Sequence, residues 1–419
     1  MKNNINKVFS AVIILTLLFC SFIIPATAEN TGESELKFKD GKFKILILSD
    51  IQDTNTPQKA TADLMKAAIE KTKPDFIALT GDNTAGWWKG VNKEQTKEAV
   101  DKVAGVIDGY GIPFALVFGN HDHEGLCDEK NGYTEEQAKQ FILECFQQYD
   151  TCLAVGGEEM TGYCNYNLLI KDSKGEKDAF NMWFMDSNPY ASDEEGGGYG
   201  YVHEDQIAWY EKTANELKEQ NGGSVIPSIL FQHIAVPEVY DMFTVVDKGT
   251  KGAVKGHGSF NDKYFTANPE YIYQGSLNEG PCPPDTNHGQ FDSWVKTGDI
   301  TGAVFGHDHV NDYAGEYKGI KMIAAPGVGF YSYGNHHGVR TITLDESNLS
   351  DFTSDIILYD ELVAEKVSNS YIANHGYHEY KDIFLPAVIG GGTGIAAAAA
   401  VITVIVKIVK KRKIKGDRL

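Results

Sequence analysis

Five short polar clusters in this 419-residue chain hold residue types able to grip a metal ion. They are Asp50-Ile51-Gln52, Gly81-Asp82-Asn83, Gly119-Asn120-His121-Asp122, His233 after Gln232, and Gly306-His307-Asp308-His309. Carboxylate, amide oxygen and imidazole together form a hard-to-borderline donor set that suits Mn, Fe or Zn rather than Ca or Cu(I). Taken singly, each cluster has a plainer reading. An Asp after a strand commonly caps a helix or turns the chain, Gly-Asn-His-Asp can be a turn with a left-handed Asn, and one His is commonly a satisfied core or surface residue. Gly-His-x-His says more, because alternate residues of an extended strand face the same way.

The elements in front of the clusters make them count together. Phe43–Leu48, Phe76–Leu79, Phe114–Phe118, Ser228–Phe231 and Ala303–Phe305 are short apolar runs that read as buried strands, and one cluster follows each. Between the first three, residues 57–73 put Ala60, Leu64, Met65, Ala68 and Ile69 on one helical face, with Pro57 suited to the first turn. Val100, Val103 and Ile107 mark a second helix. Strand alternating with helix predicts an α/β domain with parallel pairing and right-handed crossovers. Ligands of open α/β sheets bind at the carboxyl edge of the strands, so five separate segments would meet at one crevice. Further elements are a strand at Met182–Met185, a helix near 204–220, a loop-rich stretch from 247 to 293 and β-rich segments to about 359. No internal repeat or Pro/Ser linker divides the chain, which favours one large domain.

In this order the clusters resemble the signature of the calcineurin-like metallophosphoesterases, from about Phe43 to Arg340. Phe305-Gly306-His307-Asp308-His309-Val310-Asn311-Asp312 is similar to the purple-acid-phosphatase-related branch, as are Phe184-Met185-Asp186-Ser187 and Gly200-Tyr201-Val202-His203-Glu204-Asp205-Gln206. The resemblance implies a four-layer α/β sandwich and two metal ions of the divalent or Fe/Mn/Zn type. It implies that Asp82 bridges them, that Asp50 and His309 complete the first site, and that Asn120, His233 and His307 form the second. A hydroxide bridging the ions would attack a phosphate ester in line, and His121 would stabilise the transition state or protonate the leaving oxygen. Two positions depart from the pattern. Gln52 stands where the superfamily usually has His, so it is either a weaker neutral ligand or a holder of water, with Asp53 near enough to compensate or simply a turn residue. Ala85 stands where a purple iron–tyrosinate site needs Tyr, so that site is not expected. The implied activity is a metal-dependent phosphoric ester hydrolase with monoesters favoured. The alternatives are a phosphodiesterase on small diesters, or a non-catalytic surface-binding protein that keeps the fold.

Composition bounds the partners. A net charge of -20 excludes a basic surface that wraps nucleic acid, and no nucleic-acid partner is expected. Both ends are net positive, so the segment between them is more acidic than the whole. A small phosphate ester remains an acceptable substrate. Residues 1–28 join Lys2 and Lys7 to an apolar run and Ala26-Thr27-Ala28, which reads as a secretory signal peptide cleaved after Ala28, the alternative being an uncleaved anchor. Residues 383–406 carry no charge and precede a basic tail, 407–419. At about 1.5 Å rise per residue the stretch is long enough for a transmembrane helix. The tail then stays cytoplasmic and places domain 29–382 on the outer side of the cell membrane. Cys127, Cys145, Cys152, Cys164 and Cys282 allow one or two disulfides in an exported domain. Trp87-Trp88 read equally as pocket lining or a loop anchor, and His336-His337, near Tyr331 and Tyr333, as surface residues before residues that reach the crevice.

Overall fold

Side-chain alternation explains how the strands stack. In the computed structural model, which describes residues 35–87, 91–157 and 159–363, the first sheet contains β1 (Lys42–Leu48), β2 (Phe76–Thr80) and β3 (Phe114–Val117). They pair in parallel as expected, with Ile45 opposite Phe76 and Ile77 opposite Phe114. The second sheet runs through β4 (Tyr166–Lys171), β5 (Asp178–Phe184) and β6 (Ser228–Gln232). A small separate sheet follows, built from β7 (Phe243–Val246), β8 (Val254–Lys255) and β9 (Tyr264–Ala267). β10 (Ile272–Gln274), β11 (Ile300–Phe305), β12 (Ala314–Tyr317) and β13 (Ile320–Ala324) complete the second sheet in the order β10-β12-β13-β11-β6-β5-β4. β14 (Gly338–Asp345) returns to the first sheet antiparallel to β1, and β15 (Phe352–Leu358) pairs outside it.

Helices cover the outer faces. α1 (Lys59–Thr72), α2 (Lys93–Asp108) and α3 (Glu135–Phe146) bury Leu64, Val100 and Ile142 in the core that also holds β1–β3. α2 and α3 each start with a reciprocal capping box, Asn92 with Gln95 and Thr134 with Gln137, a device worth about 1 kcal/mol. On the second sheet Met182, Phe184, Ile229, Phe231 and Val304 enter that same core, whereas Trp183, Leu230, Ala303 and Phe305 enter another. The second core is closed by Tyr210 of α4 (Glu204–Gln220) and by Phe291 and Trp294 of α5 (Gln290–Thr297). Helices, sheet, sheet and helices make four layers, and a sheet buried on both faces explains why its strands read as unbroken apolar runs.

Three details differ from the sequence reading. α1 begins after Gln58, so Pro57 lies before the cap and Asp53 accepts the Gln58 amide at 2.9 Å. The stretch 247–293 is less loop-rich than expected, because it contains β8, β9, β10 and the start of α5. The five cysteines from Cys127 to Cys282 are all free thiols. The expected signal peptide (1–28), transmembrane stretch (383–406) and basic tail (407–419) lie outside the described residues. Among the described residues no helix is long and apolar enough to cross a membrane.

Candidate metal centre

The carboxyl ends of β1, β2, β3, β6 and β11 meet at one edge, and short backbone bonds draw their loops together. Asp50 N–H donates to Gly81 C=O at 3.1 Å, Gln52 N–H to Asp82 C=O at 2.9 Å and Gly306 N–H to His233 C=O at 3.0 Å. His307 N–H donates to Asp50 Oδ2 at 3.1 Å and so ties the second sheet to the first. The turns are too sharp for ordinary backbone. Asp50 (φ 48°), Gln52 (37°), Asp82 (50°) and His307 (72°) are all left-handed, at about 1–2 kcal/mol each. Gly119 allows a close approach, since a Cβ there would lie 2.1 Å from Asp82 Oδ1.

Asp82 is the hub. Its Oδ1 accepts the His121 N–H at 2.8 Å, and its Oδ2 accepts from Gln52 Nε2 and lies 3.4 Å from His233 Nε2. His233 Nε2 is also 3.1 Å from Asn120 Oδ1, while its Nδ1 is 2.9 Å from the Thr80 carbonyl. The His307 ring lies 5.0 Å from that of His233, and His309 Nε2 is 3.3 Å from Asp50 Oδ1. Asp50, Gln52, Asp82, Asn120, His121, His233, His307 and His309 are thus brought into one site, and all but His121 are buried.

Asp50 Oδ1, Gln52 Oε1 and His307 Nε2 are buried without a hydrogen-bond partner. Such atoms cost about 1–3 kcal/mol each when left unpaired, and all three are good cation donors. Asp50, Asp82 and His309 also offer ligand atoms within 4.8 Å of one another. The donor set therefore fits borderline metal ions.

Charge balance supports this fit. Burial alone would raise the Asp82 carboxyl, but His233 and His121 hold it well below the usual range. Burial, with Asp82 nearby, raises Asp50. Burial, with His233 nearby, keeps His307 neutral, and burial pushes His309 down to about 3. Neutral imidazoles are the form that binds metal. His233 differs: burial opposes its charge, yet Asp82 and Asp50 raise it to about 10, so its proton stands in for a cation.

Several eye-catching residues are structural. Asp53 accepts from Thr54 and Gln58, as a turn residue does. Asp122 accepts from Gly119, Thr84 and Asn83, and Asp308 from Cys282. Trp87 stacks on Tyr331 at 5.3 Å, whereas Trp88 lies outside the described residues. His336 pairs with Asp312, but His337 is buried against Phe330, not on the surface. Sequence reasoning gave no role to the surrounding shell. Ser332 Oγ lies 3.2 Å from His309 Nδ1, Tyr333 stacks on His309 at 4.2 Å and Tyr199 meets His307 edge-on at 4.3 Å. Glu124 holds His121 Nδ1 at 2.8 Å and accepts the Tyr190 hydroxyl at 3.0 Å. Only its place three residues after His121 could have pointed to Glu124.

Comparison with known proteins points to one family. Residues 43–311 match the model of the calcineurin-like phosphoesterase family. A probable inactive purple acid phosphatase 29 of Arabidopsis thaliana is 28% identical over 346 residues, 75% of this chain and 78% of that protein. A probable inactive purple acid phosphatase 14 of the same plant is 26% identical over 373 residues, 82% of this chain and 84% of that one. A dimetal phosphatase structure from Danio rerio covers 76% of this chain and 99% of its own at 13% identity, with a TM-score of 0.40.

Proposed function

This chain belongs to the calcineurin-like phosphoesterase family, and from that premise we propose that it hydrolyses small phosphate esters, monoesters before diesters, with two bound metal ions. The observation that carries the proposal is the set of buried, unpaired donor atoms on Asp50, Gln52 and His307 around the Asp82 carboxylate. Asp50, Asp82, His309 and the Gln52 amide oxygen would hold one ion, and Asp82, Asn120, His233 and His307 the other. Such a pair supplies Lewis acidity toward the phosphoryl oxygens and a nucleophilic water at neutral pH. The chain's own residues supply the rest. Neutral His307 and His309 keep lone pairs free, the left-handed turns fix the carboxylates in advance, and His121 delivers a proton to the departing oxygen. Burial and the Asp82 carboxylate act on His121 in opposite directions, with the net effect of raising its pKa, which suits a proton donor. We also propose that domain 29–382 works outside the cell membrane, tethered by 383–406.

A second reading, a surface-binding protein without catalysis, is favoured by Gln52 in the usual His position and by relatives named as probable inactive phosphatases. Metal analysis of the full chain, with Mn-dependent turnover of aryl phosphate mono- and diesters, separates the two. Two ions per chain and monoester turnover support the enzyme. Fewer than about one ion and no turnover under any divalent metal support the rival.

A further inference from the structure

Glu124 and Tyr190 come from separate loops and meet beside the site in an arrangement whose donors and acceptors have one consistent assignment. A carboxylate only accepts hydrogen bonds. Tyr190 Oη lies 3.0 Å from Glu124 Oε1, so the phenol spends its single hydrogen there. The same oxygen must then accept from Asn120, 3.0 Å away, and the atom Asn120 presents is its Nδ2. The other end of that amide, Oδ1, is therefore the end that faces His233. By the same logic Glu124 Oε2, 2.8 Å from His121 Nδ1, requires the proton on Nδ1 and leaves Nε2 as the nitrogen that exchanges a proton.

We propose that Glu124 and Tyr190 are positioning residues that fix which end of Asn120 faces the metal centre and which ring nitrogen of His121 serves the leaving group. Without the clamp, an amide turned over would aim N–H groups at a cation, and His121 would be free to rotate.

The clamp stands on a built floor. Asn188, two residues before Tyr190, donates from Nδ2 to the Tyr201 carbonyl at 2.7 Å and to Gln206 Oε1 at 3.0 Å. Its N–H donates to Asp186 Oδ1 at 2.9 Å, and Asp186 Oδ2 accepts from buried Lys139 at 2.6 Å. Gln206 Nε2 returns to the Asp186 carbonyl at 2.8 Å. Tyr190 also forms a β-bridge with Tyr199, whose ring abuts His307. The segments 184–187 and 200–206 thereby gain a purpose: they hold the loop that delivers Tyr190.

The inference rests on the phosphoesterase reading, and its tests separate the two. In the metal-free full chain, nitrogen-15 NMR of the histidine rings should show His121 protonated on Nδ1. Glu124→Ala should lose that preference, while Glu124→Gln, which keeps an acceptor oxygen, should retain it; an unchanged ring in Glu124→Ala overturns the Glu124 assignment whether or not the chain has activity. Tyr190→Phe should weaken Mn binding by about tenfold with an unchanged thermal midpoint, and unchanged binding overturns the Tyr190 assignment. With Mn bound, Glu124→Ala should lose about a hundredfold in kcat on glycerol phosphate but under about fivefold on 4-nitrophenyl phosphate, whose leaving group needs little proton assistance. Equal losses on both overturn the role in proton delivery. A wild-type chain that turns over neither substrate defeats the phosphoesterase reading, and the NMR and Mn-binding results then decide the clamp.

Discussion

The two halves of the centre are built to different standards. In the half formed by Asn120, His233 and His307, the first two donors are each held by an outer partner: Asn120 by Tyr190 and His233 by the Thr80 carbonyl. In the half formed by Asp50, Gln52 and His309, Asp50 accepts from Ser49 and from the His307 N–H and His309 has Ser332, but Gln52, a neutral amide, gives its N–H to Asp82 and leaves its oxygen unpaired. Outer partners commonly change metal affinity or activity by about 10–100-fold. With Gln52 as its least supported donor, the Asp50 half should be the one that empties first, and the Asn120 half should hold its ion more tightly.

The harshest test removes what the halves share. Asp82→Asn should cost at least about a thousandfold in turnover, several kcal/mol of charge stabilisation, with fewer than one ion retained by metal analysis. His307→Ala or Asn120→Ala should also abolish turnover yet leave an ion in the Asp50 half; retention of both ions would break the comparison. Gln52→His should narrow the gap between halves, tightening the weaker ion by about tenfold, or about 1.4 kcal/mol, in a calorimetric titration. An unchanged affinity would place residue 52 outside the coordination sphere.

Acid acts on the Asn120 half. His233, raised to about 10 without metal, must lose its proton to become a ligand. Metal uptake should then release about one proton, and apparent affinity should climb about tenfold per pH unit up to that value, measurable in weak buffer. The smallest effect concerns the segment that carries Ser332 and Tyr333. Burial, opposed by the Gly334 backbone, lowers His337 to about 4 in the folded chain, whereas the unfolded chain takes the proton near pH 6.5. The unfolded state binds more protons in that window, so stability falls as pH drops from about 6.5 to about 4. His337→Gln should flatten this part of a melting-temperature profile.

What the sequence revealed and what it hid follow from locality. β2 and β3 are apolar runs and β1 is one from Ile45 onward, and Asp50, Asp82 and Asn120 follow within a few residues, so strand reading alone delivers the first-sheet candidate donors to one edge. Gly-His-x-His also brings His307 and His309 into the site, but on a left-handed turn after β11 and not on an extended strand as its spacing suggested. The β7–β9 sheet is hidden because its strands are only four, two and four residues long, too short to show a period. Tyr190 was hidden for another reason: it meets Asn120 across 70 positions of chain, and no periodicity encodes such a meeting. His337 was misplaced because a polar residue beside Gly334 and Asn335 reads as loop surface, while Phe330 covers it.

The positive φ angles at Asp50, Gln52, Asp82 and His307 bear on how such a protein could be engineered. A laboratory selection for heat resistance alone would reward glycine at each of these four places, because glycine adopts that geometry freely. Every such gain would delete a donor group, so thermal hardening and turnover would trade against each other at the same codons. Libraries meant to toughen this scaffold should therefore hold those four positions fixed.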